Sequence, residues 1–419
     1  MERLCGWVIR KKIIGKVVII ETSSGLSVKP CVIVLKKERE PDLFKLALDL
    51  DIGSAICFEG VKASEQKSER GVEYIVNKII VYSKPIEPIP VDTIGKVPTL
   101  LDTRIKYRYL LIRNPVEKSI FKIKAGIIEG ARKYLNEHDF LEVHTPKIVA
   151  AGAEGGATLF EIQYFEYKAY LSQSPQLYKQ ILMTSIPRVY EITPYFRAEK
   201  FNTTRHLNES WGIDVEQGFI DSEEDVMNTL EELVSYIIDY IRRNYEEELE
   251  TIGVELRPVS KPFKRLKFVE AIEILRSEGF EVSENEDLSD AAEKKLGEIM
   301  KDKGYELYFI TKFPWKSTGF YYMREEDGQY TRKFDLDYRG LEIASGGQRE
   351  HRYDKLIEAM RDKGLNTNDF KFYLEAFKYG IPSHGGFGLG VERLLMQILG
   401  LNNIREATIF VRDRSRLIP

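Results

Sequence analysis

Residues 195–216 read YFRAEKFNTTRHLNESWGIDVE. The polar turn at Asn202–Thr204 separates two stretches with strand character, which predicts a strand–loop–strand hairpin. It carries Arg197, Glu199, Arg205, His206, Glu209, Asp214 and Glu216. Charges among strand residues are costly to bury unless paired or used. An arginine fork, donating two parallel hydrogen bonds, suits a phosphate. For a lone hairpin the plainer reading is a solvated ribbon with surface ion pairs, so the decision lies elsewhere in the chain.

Three further segments bear on it. Residues 385–394, GGFGLGVERL, set four glycines before a helix whose first turn holds Arg393. Glycines let a backbone approach a ligand closely, and a helix N-terminus with an arginine makes an anion site. In residues 334–352, FDLDYRGLEIASGGQREHR, Asp335 and Glu342 are followed by Ser345. These are hard oxygen donors of the kind magnesium takes on a polyphosphate, although a strand with a polar face would look the same. Residues 173–180, QSPQLYKQ, place Ser174 and Gln176 around Pro175 and ahead of Lys179. By itself that string is a turn entering a helix. Glu154-Gly155-Gly156 lies on a nearby loop.

Outward from these segments the chain divides in two. Residues 1–84 read as short strands (16–21, 30–35, 55–61, 72–82) with one short helix over 41–50, which suggests a small closed barrel of OB type. Prolines 85, 88 and 90 then forbid a central strand and mark a boundary. A connecting segment reaches Pro115, where a helix begins with Val116, Ile120, Ile123, Ile127, Ala131 and Tyr134 at helical spacing. A proline-containing strand follows over 140–149. A second long helix is expected over 222–248, with Ser222 and Asp225 as a capping box. Residues 250–330 mix helices and strands and show no chemical motif. Strands return over 330–347, and a last helix starts near Gly390. The expected class is therefore α/β (α+β).

The totals fit such a body. The chain has 419 residues, 43% apolar and 31% charged, with a formal net charge of -4. Residues 1–85 carry 15 Lys+Arg against 11 Asp+Glu, so a mildly basic module precedes an acidic body, an imbalance small enough to arise by chance. The cysteines, Cys5, Cys31 and Cys57, are odd in number and lack CxxC spacing. They read as buried thiols of a reducing cytoplasm rather than a disulfide framework or zinc site. No signal-peptide pattern opens the chain, and no apolar run approaches the ~20 residues of a membrane span.

Together the four segments resemble the class II aminoacyl-tRNA synthetases, subclass b, and within it the archaeal-type aspartyl-tRNA synthetases, from about Thr99 to Pro419. The FRAE…NTTRHLNE string is similar to the family's motif 2, GFGLGVERL to motif 3, and residues 116–149 to motif 1, the usual dimer contact. The resemblance implies an N-terminal OB-type β-barrel that binds the anticodon (1–85), a hinge or linker (86–115), and a catalytic domain built on an antiparallel sheet flanked by helices (116–419). It implies ATP, L-aspartate and tRNA as substrates, magnesium as cofactor, a homodimer, and a cytoplasmic protein. Residue by residue, Arg197 is expected at the α-phosphate and Arg393 at the γ-phosphate of ATP. Glu199, Arg205 and His206 are expected around the nucleotide, with Trp211 a candidate to stack on adenine because Ser210 stands where relatives often have Phe. Glu342 and Ser345, with Asp335 nearby, are expected to hold magnesium. Ser174, Gln176, Lys179, Asp214 and Arg349 are expected to line the aspartate pocket, with Glu154 on the loop that closes it. Arg197, Arg393 and Glu342 would carry the catalysis.

Lys179 and Arg349 would together bind the aspartate side chain, which favours aspartate over asparagine, whose amide would leave cations unpaired. The N-terminal module departs from the family pattern. Val18 stands where an aromatic would stack on an anticodon base, the usual Gln has no counterpart, and Trp7 or Phe58 are the substitutes at hand. The barrel would then read loosely and admit tRNA-Asn beside tRNA-Asp, or belong to a paralogue. Two such paralogues are conceivable: a ligase forming asparagine through the same adenylate, or a tRNA-binding protein that charges nothing. The barrel counts against the first, and the intact set Arg197, Glu342 and Arg393 against the second.

Overall fold

Alternating burial along residues 17–20 and 33–36 turns one face of each strand segment into a core. In this computed structural model, which describes residues 1–150, 159–200 and 202–419, strands β1 (Glu2–Ile14), β2 (Val17–Ser24), β3 (Cys31–Lys36), β4 (Ala55–Lys62) and β5 (Val72–Ser83) close into a barrel of order β1-β2-β3-β5-β4. The helix Pro41–Leu48 lies between β3 and β4 in the chain and adds Phe44 and Ala47 to a core of Val8, Val18, Ile20, Ile33, Leu35, Ile56 and Phe58.

Three expectations about this unit change. Val18 is fully buried in the barrel, so it faces no ligand; the neighbouring Ile19 lines an outer hollow instead. Phe58 is core as well and does not stand open for stacking, whereas Trp7 is 43% exposed with the Arg113 guanidinium over its ring at 5.0 Å. Cys5 and Cys57, directly opposite in the β1–β4 register, form a disulfide, and only Cys31 is a free buried thiol. A separation of 52 residues carries no local signal; the pairing comes from barrel closure.

The chain forms two compact units: Met1–Ile123 with Tyr245–Glu255 and Pro419, and Lys124–Asn244 with Leu256–Ile418. The first unit thus holds more chain than the barrel. Within it Lys118 donates to Ser23 Oγ at 2.9 Å and to the Ser27 carbonyl at 2.9 Å.

The second unit is built on a mostly antiparallel eight-stranded sheet. Its strands are β6 (Leu141–Glu142), β10 (Arg188–Phe196), β11 (Glu209–Gly218), β12 (Lys264–Lys267), β13 (Leu307–Thr311), β14 (Lys333–Tyr338), β15 (Glu342–Gln348) and β16 (His384–Gly390), in the order β12-β13-β14-β15-β16-β11-β10-β6. A small sheet of β7 (Ile148–Val149), β8 (Glu161–Tyr164) and β9 (Tyr167–Leu171) stands apart. Pro146 splits the expected strand over 140–149 into β6 and β7, because proline cannot donate to a ladder. The helix Glu223–Asn244 packs its stripe of Val226, Leu230, Leu233, Ile237 and Ile241 against β14, β15 and β16. It stops earlier than expected. A separate helix, Glu246–Ile252, starts with three glutamates at its positive end. No described helix is long and apolar enough to cross a membrane.

Candidate active site

The predicted hairpin is β10–β11, in register from Arg188↔Gln217 to Phe196↔Glu209. Its next neighbours are β16 and then β15 and β14, so one cross-strand row runs Asp214, Gly388, Ser345, Asp335. The row two residues along runs Glu216, Gly386, Gly347, Lys333. Segments more than a hundred residues apart thereby share one face. A cavity of about 550 Å3 opens on it, lined among others by Arg197, Glu199, Arg205, His206, Glu342, Ser345 and Arg393. Ser174, Gln176, Asp214 and Arg349 line it too.

The glycines of β16 make room for carboxylates. A Cβ on Gly386 would sit 2.2 Å from Glu216 Oε2, and one on Gly388 would be 3.5 Å from Asp214 Oδ1. Beneath them lies a buried ionic cluster. Lys179, on the helix Gln176–Leu182, places its ammonium 2.9 Å from Asp214 Oδ1 and 3.2 Å from Glu216 Oε2. It also donates to the carbonyls of Val215 and Phe387, at 3.2 and 3.1 Å. Arg349 Nε donates to Glu216 Oε1 at 3.0 Å and Nη2 to the Gly386 carbonyl at 2.8 Å, with the guanidinium over the rings of Tyr321 and Tyr322. Among the described residues its buried Nη1 has no hydrogen-bond partner. Burial pushes the Glu216 carboxyl upward, but Arg349 and Lys179 outweigh it and hold the group below its ordinary value. The Tyr195 hydroxyl donates to Asp214 Oδ2, in space that Gly212 leaves by lacking a Cβ.

At the other end Arg393, in the first turn of the helix Val391–Leu399, donates through Nη1 to the Glu342 carbonyl at 2.9 Å, and its Nη1 stands 3.5 Å from Glu342 Oε2. Arg393 Nη2 lies 3.4 Å from His206 Nε2, and His206 Nδ1 lies 2.6 Å from Thr203 Oγ1. An arginine can only donate, so Nε2 is the acceptor and the imidazole proton sits on Nδ1. Burial, with Arg393 adding to it, holds the His206 pKa down to about 4. Burial pushes the Glu342 carboxyl up, while Arg393, Lys333 and Arg197 together bring it below the usual carboxylate range.

The arrangement gathers fixed cations around a hollow that also holds a carboxylate and a hydroxyl, as a polyphosphate site requires. The pattern of the family described as tRNA synthetases class II (D, K and N) matches residues 101–414. This chain belongs to that family. The aspartate–tRNA(Asp) ligase of Pyrococcus abyssi is 47% identical over 422 residues, covering 100% of this chain and 96% of that one. The aspartate–tRNA(Asp/Asn) ligase of Methanopyrus kandleri is 47% identical over 421 residues, with the same coverage, 100% and 96%. Among solved structures, asparaginyl-tRNA synthetase from Pyrococcus horikoshii complexed with asparaginyl-adenylate superposes with a TM-score of 0.90 at 34% identity, covering 100% of this chain and 96% of that one.

At this candidate site, three expected residues fall elsewhere. Lys179 does not line the cavity; four acceptors surround its three N–H groups, so it neutralises Asp214 and Glu216 where a free cation was expected. Trp211 is 40% exposed and off the cavity wall, its backbone N–H donating to Glu392 Oε2, while Ser210 lines the wall. Asp335 is buried beside the wall, its Oδ2 paired with Lys333 at 2.7 Å and its Oδ1 without a hydrogen-bond partner; burial pushes its pKa up to about 7. Glu154 lies outside the described residues. Glu342 and Ser345, both on the wall, are hard oxygen donors that fit a divalent cation held chiefly by substrate phosphates.

The structure adds residues that the sequence reading gave no role: Tyr195, Lys333, Tyr321, Tyr322 and Asp287 line the cavity, and Glu216, named only as a charge of the hairpin, anchors Arg349. Lys333 had a signal, since it alternates with Asp335 on one strand face. The tyrosines had none, because their neighbours come from folding.

The synthetase carries five histidines. Two, His206 and His384, are expected to titrate near pH 4, since burial is the leading cause for each and places both pKa values at about 4. A histidine pKa depressed on folding means that the unfolded chain binds the extra proton first. Stability from these groups is complete above about pH 6.5 and is lost as pH falls towards 4. Side-chain NMR titration reads this directly; a His206 midpoint near 6.5 would contradict the buried, arginine-facing imidazole.

Proposed function

We propose that this synthetase activates L-aspartate with ATP to aspartyl-adenylate and transfers it to the 3′ end of tRNA-Asp. The observation that carries the reading is that Arg197, Arg393 and Glu342 line the same cavity as Arg349. The aspartate carboxylate is already an anion, so attack on the α-phosphorus needs no general base. What it needs is charge neutralisation as pyrophosphate leaves. Arg197 at the α-phosphate and Arg393 at the γ-phosphate supply it in a fixed geometry. A magnesium ion held by Glu342 and Ser345 would neutralise further phosphate charge. Glu199, Arg205 and His206 border the nucleotide.

At the amino-acid end Arg349 offers its unpartnered Nη1 to the side-chain carboxylate, and Asp214 takes the ammonium beside Ser174 and Gln176. Asparagine would turn an amide N–H2 towards a guanidinium that cannot accept, which leaves donors unpaired and rejects the analogue. The expected result is pyrophosphate exchange dependent on aspartate, with asparagine at least ~10²-fold poorer. Equal exchange with both amino acids would remove the choice of substrate. Ammonia-dependent asparagine formation without tRNA, or no exchange at all, would favour the two paralogue readings instead.

A second reading, that tRNA-Asn is also charged, is favoured by the barrel's outer hollow. There Ile19, Val32 and Val34 lie among Arg10, Lys12, Lys36 and Arg70, with Tyr74 as the aromatic and Glu21, Glu40, Glu65 and Glu73 also on the wall, Glu21 paired with Arg10 at 2.8 Å. Cations grip a phosphate backbone whatever its sequence, while aliphatic side chains offer no hydrogen bond to tell one base from another. Charging of purified tRNA-Asp and tRNA-Asn with labelled aspartate separates the two. The enzyme is proposed to work as a homodimer through residues 116–149, which sedimentation tests.

A further inference from the structure

The helix Asp290–Asp302 belongs to the stretch without a chemical motif, yet it reaches the site. Ser289 caps it, accepting from the Ala292 N–H at 3.3 Å. Gly297 seats it: a Cβ there would lie 2.2 Å from Gly340 Cα, in the β14–β15 turn where Arg339 and Gly340 take φ of 51° and 76°. Four residues earlier on the same helix face stands Glu293. Its Oε2 accepts from Arg205 Nη1 at 2.5 Å, and its Oε1 accepts from the backbone N–H of Glu342. The Asp337 carboxyl shares a hydrogen bond with it. Arg205 Nη2 donates in turn to the Gly340 carbonyl at 2.8 Å.

We propose that Glu293 is a positioning residue of this site, fixing Arg205 of the 197–208 loop and the backbone of Glu342 in one arrangement before ATP arrives. This rests on reading the cavity as the ATP site. Arg205 and Glu342 come from segments 137 residues apart, and one carboxylate holds both. Glu293 itself is not among the residues lining the cavity, so its effect runs through the two that are. A carboxylate that merely balanced a buried arginine would affect stability and every kinetic constant alike. A positioning residue affects the nucleotide and spares the amino acid.

The test is Glu293→Gln, which keeps the shape and removes the charge. Measured by titration calorimetry, ATP should bind about tenfold more weakly, as expected for a lost charge-assisted bond to a phosphate-facing arginine. The KM for aspartate in pyrophosphate exchange should stay within about twofold, a change too small to count as a lost contact. Arg205→Met should weaken ATP similarly, and the double variant should lose less than the product of the two. If Glu293→Gln fails to fold by circular dichroism, Arg205→Lys carries the test, since it keeps the cation but cannot hold both Glu293 and Gly340. Unchanged ATP affinity in the variant that folds, or equal losses for both substrates, overturns the role of Glu293. Absence of aspartate-dependent exchange in the unmodified enzyme would overturn the proposed function instead, and the calorimetric comparison would still decide on Glu293.

Discussion

Arg393→Gln is expected to lower aspartate-dependent pyrophosphate exchange by about 10²–10³-fold, the usual cost of removing one preorganised donor from a developing charge. Three consequences combine. The cavity loses a cation at the proposed γ-phosphate position. The Glu342 carbonyl loses its 2.9 Å bond. The Glu342 carboxylate loses the nearest of the cations that hold it below its ordinary value. Without Arg393 that carboxyl moves upward, so the residual activity should fall further on the acid side than in the parent enzyme. Because the interaction is one that grows as pyrophosphate leaves, kcat and kcat/KM should fall together. Steady-state exchange across pH measures both effects. A loss of less than about tenfold would mean that the helix-start arginine is not the pyrophosphate clamp.

Lys179→Met should destabilise the catalytic unit by about 3–5 kcal/mol, the cost of leaving a buried charge uncompensated. In a thermal melt that is a fall on the order of 10 °C. Read from the sequence, a Lys179 variant should lose aspartate activation and keep its fold. The structure reverses the second half. The Lys179 side chain is 3% exposed, and its ammonium touches Asp214 and Glu216 at 2.9 and 3.2 Å. Removing it leaves Glu216 to Arg349 and Asp214 to the Tyr195 hydroxyl, two carboxylates facing each other out of water. Adding Glu216→Gln should recover part of the loss, since one of the two charges disappears while Arg349 keeps an acceptor. A melt unchanged in the single variant would show that the cluster is not as closed as these distances describe.

Much of the site was legible because its chemistry is unusual for its setting. Arg197, Glu342 and Arg393 are charges in strand or glycine-rich surroundings, and such placements ask for a use. The barrel was legible through the alternation of its strands and the proline cluster at 85–90, whereas the great sheet was expected from the family resemblance, with only some of its strands read from the residues. Other features were illegible for definite reasons. Asp335 shares the cross-strand row of Asp214 and Ser345 as a wall residue would, and only its pairing with Lys333 shows where it goes; Trp211, by contrast, has the opposite strand parity to Asp214, so alternation alone turns it from the wall. The disulfide needed the closure of β1 on β4. Glu293 sits in a helix that looks like any other solvated helix until Gly297 meets Gly340.

The sequence by itself determined which chemical groups are present and that they come in an order suited to a phosphate-handling sheet, because side-chain type and local periodicity are properties of neighbouring residues. Tertiary structure alone decided which cation faces the cavity with a donor to spare and which is held by the protein: among the described residues Arg349 Nη1 has no partner, while Lys179 is saturated by two carboxylates and two carbonyls. The physical reason is that a buried charge takes its role from whatever surrounds it, and those surroundings are assembled from strands far apart in the chain.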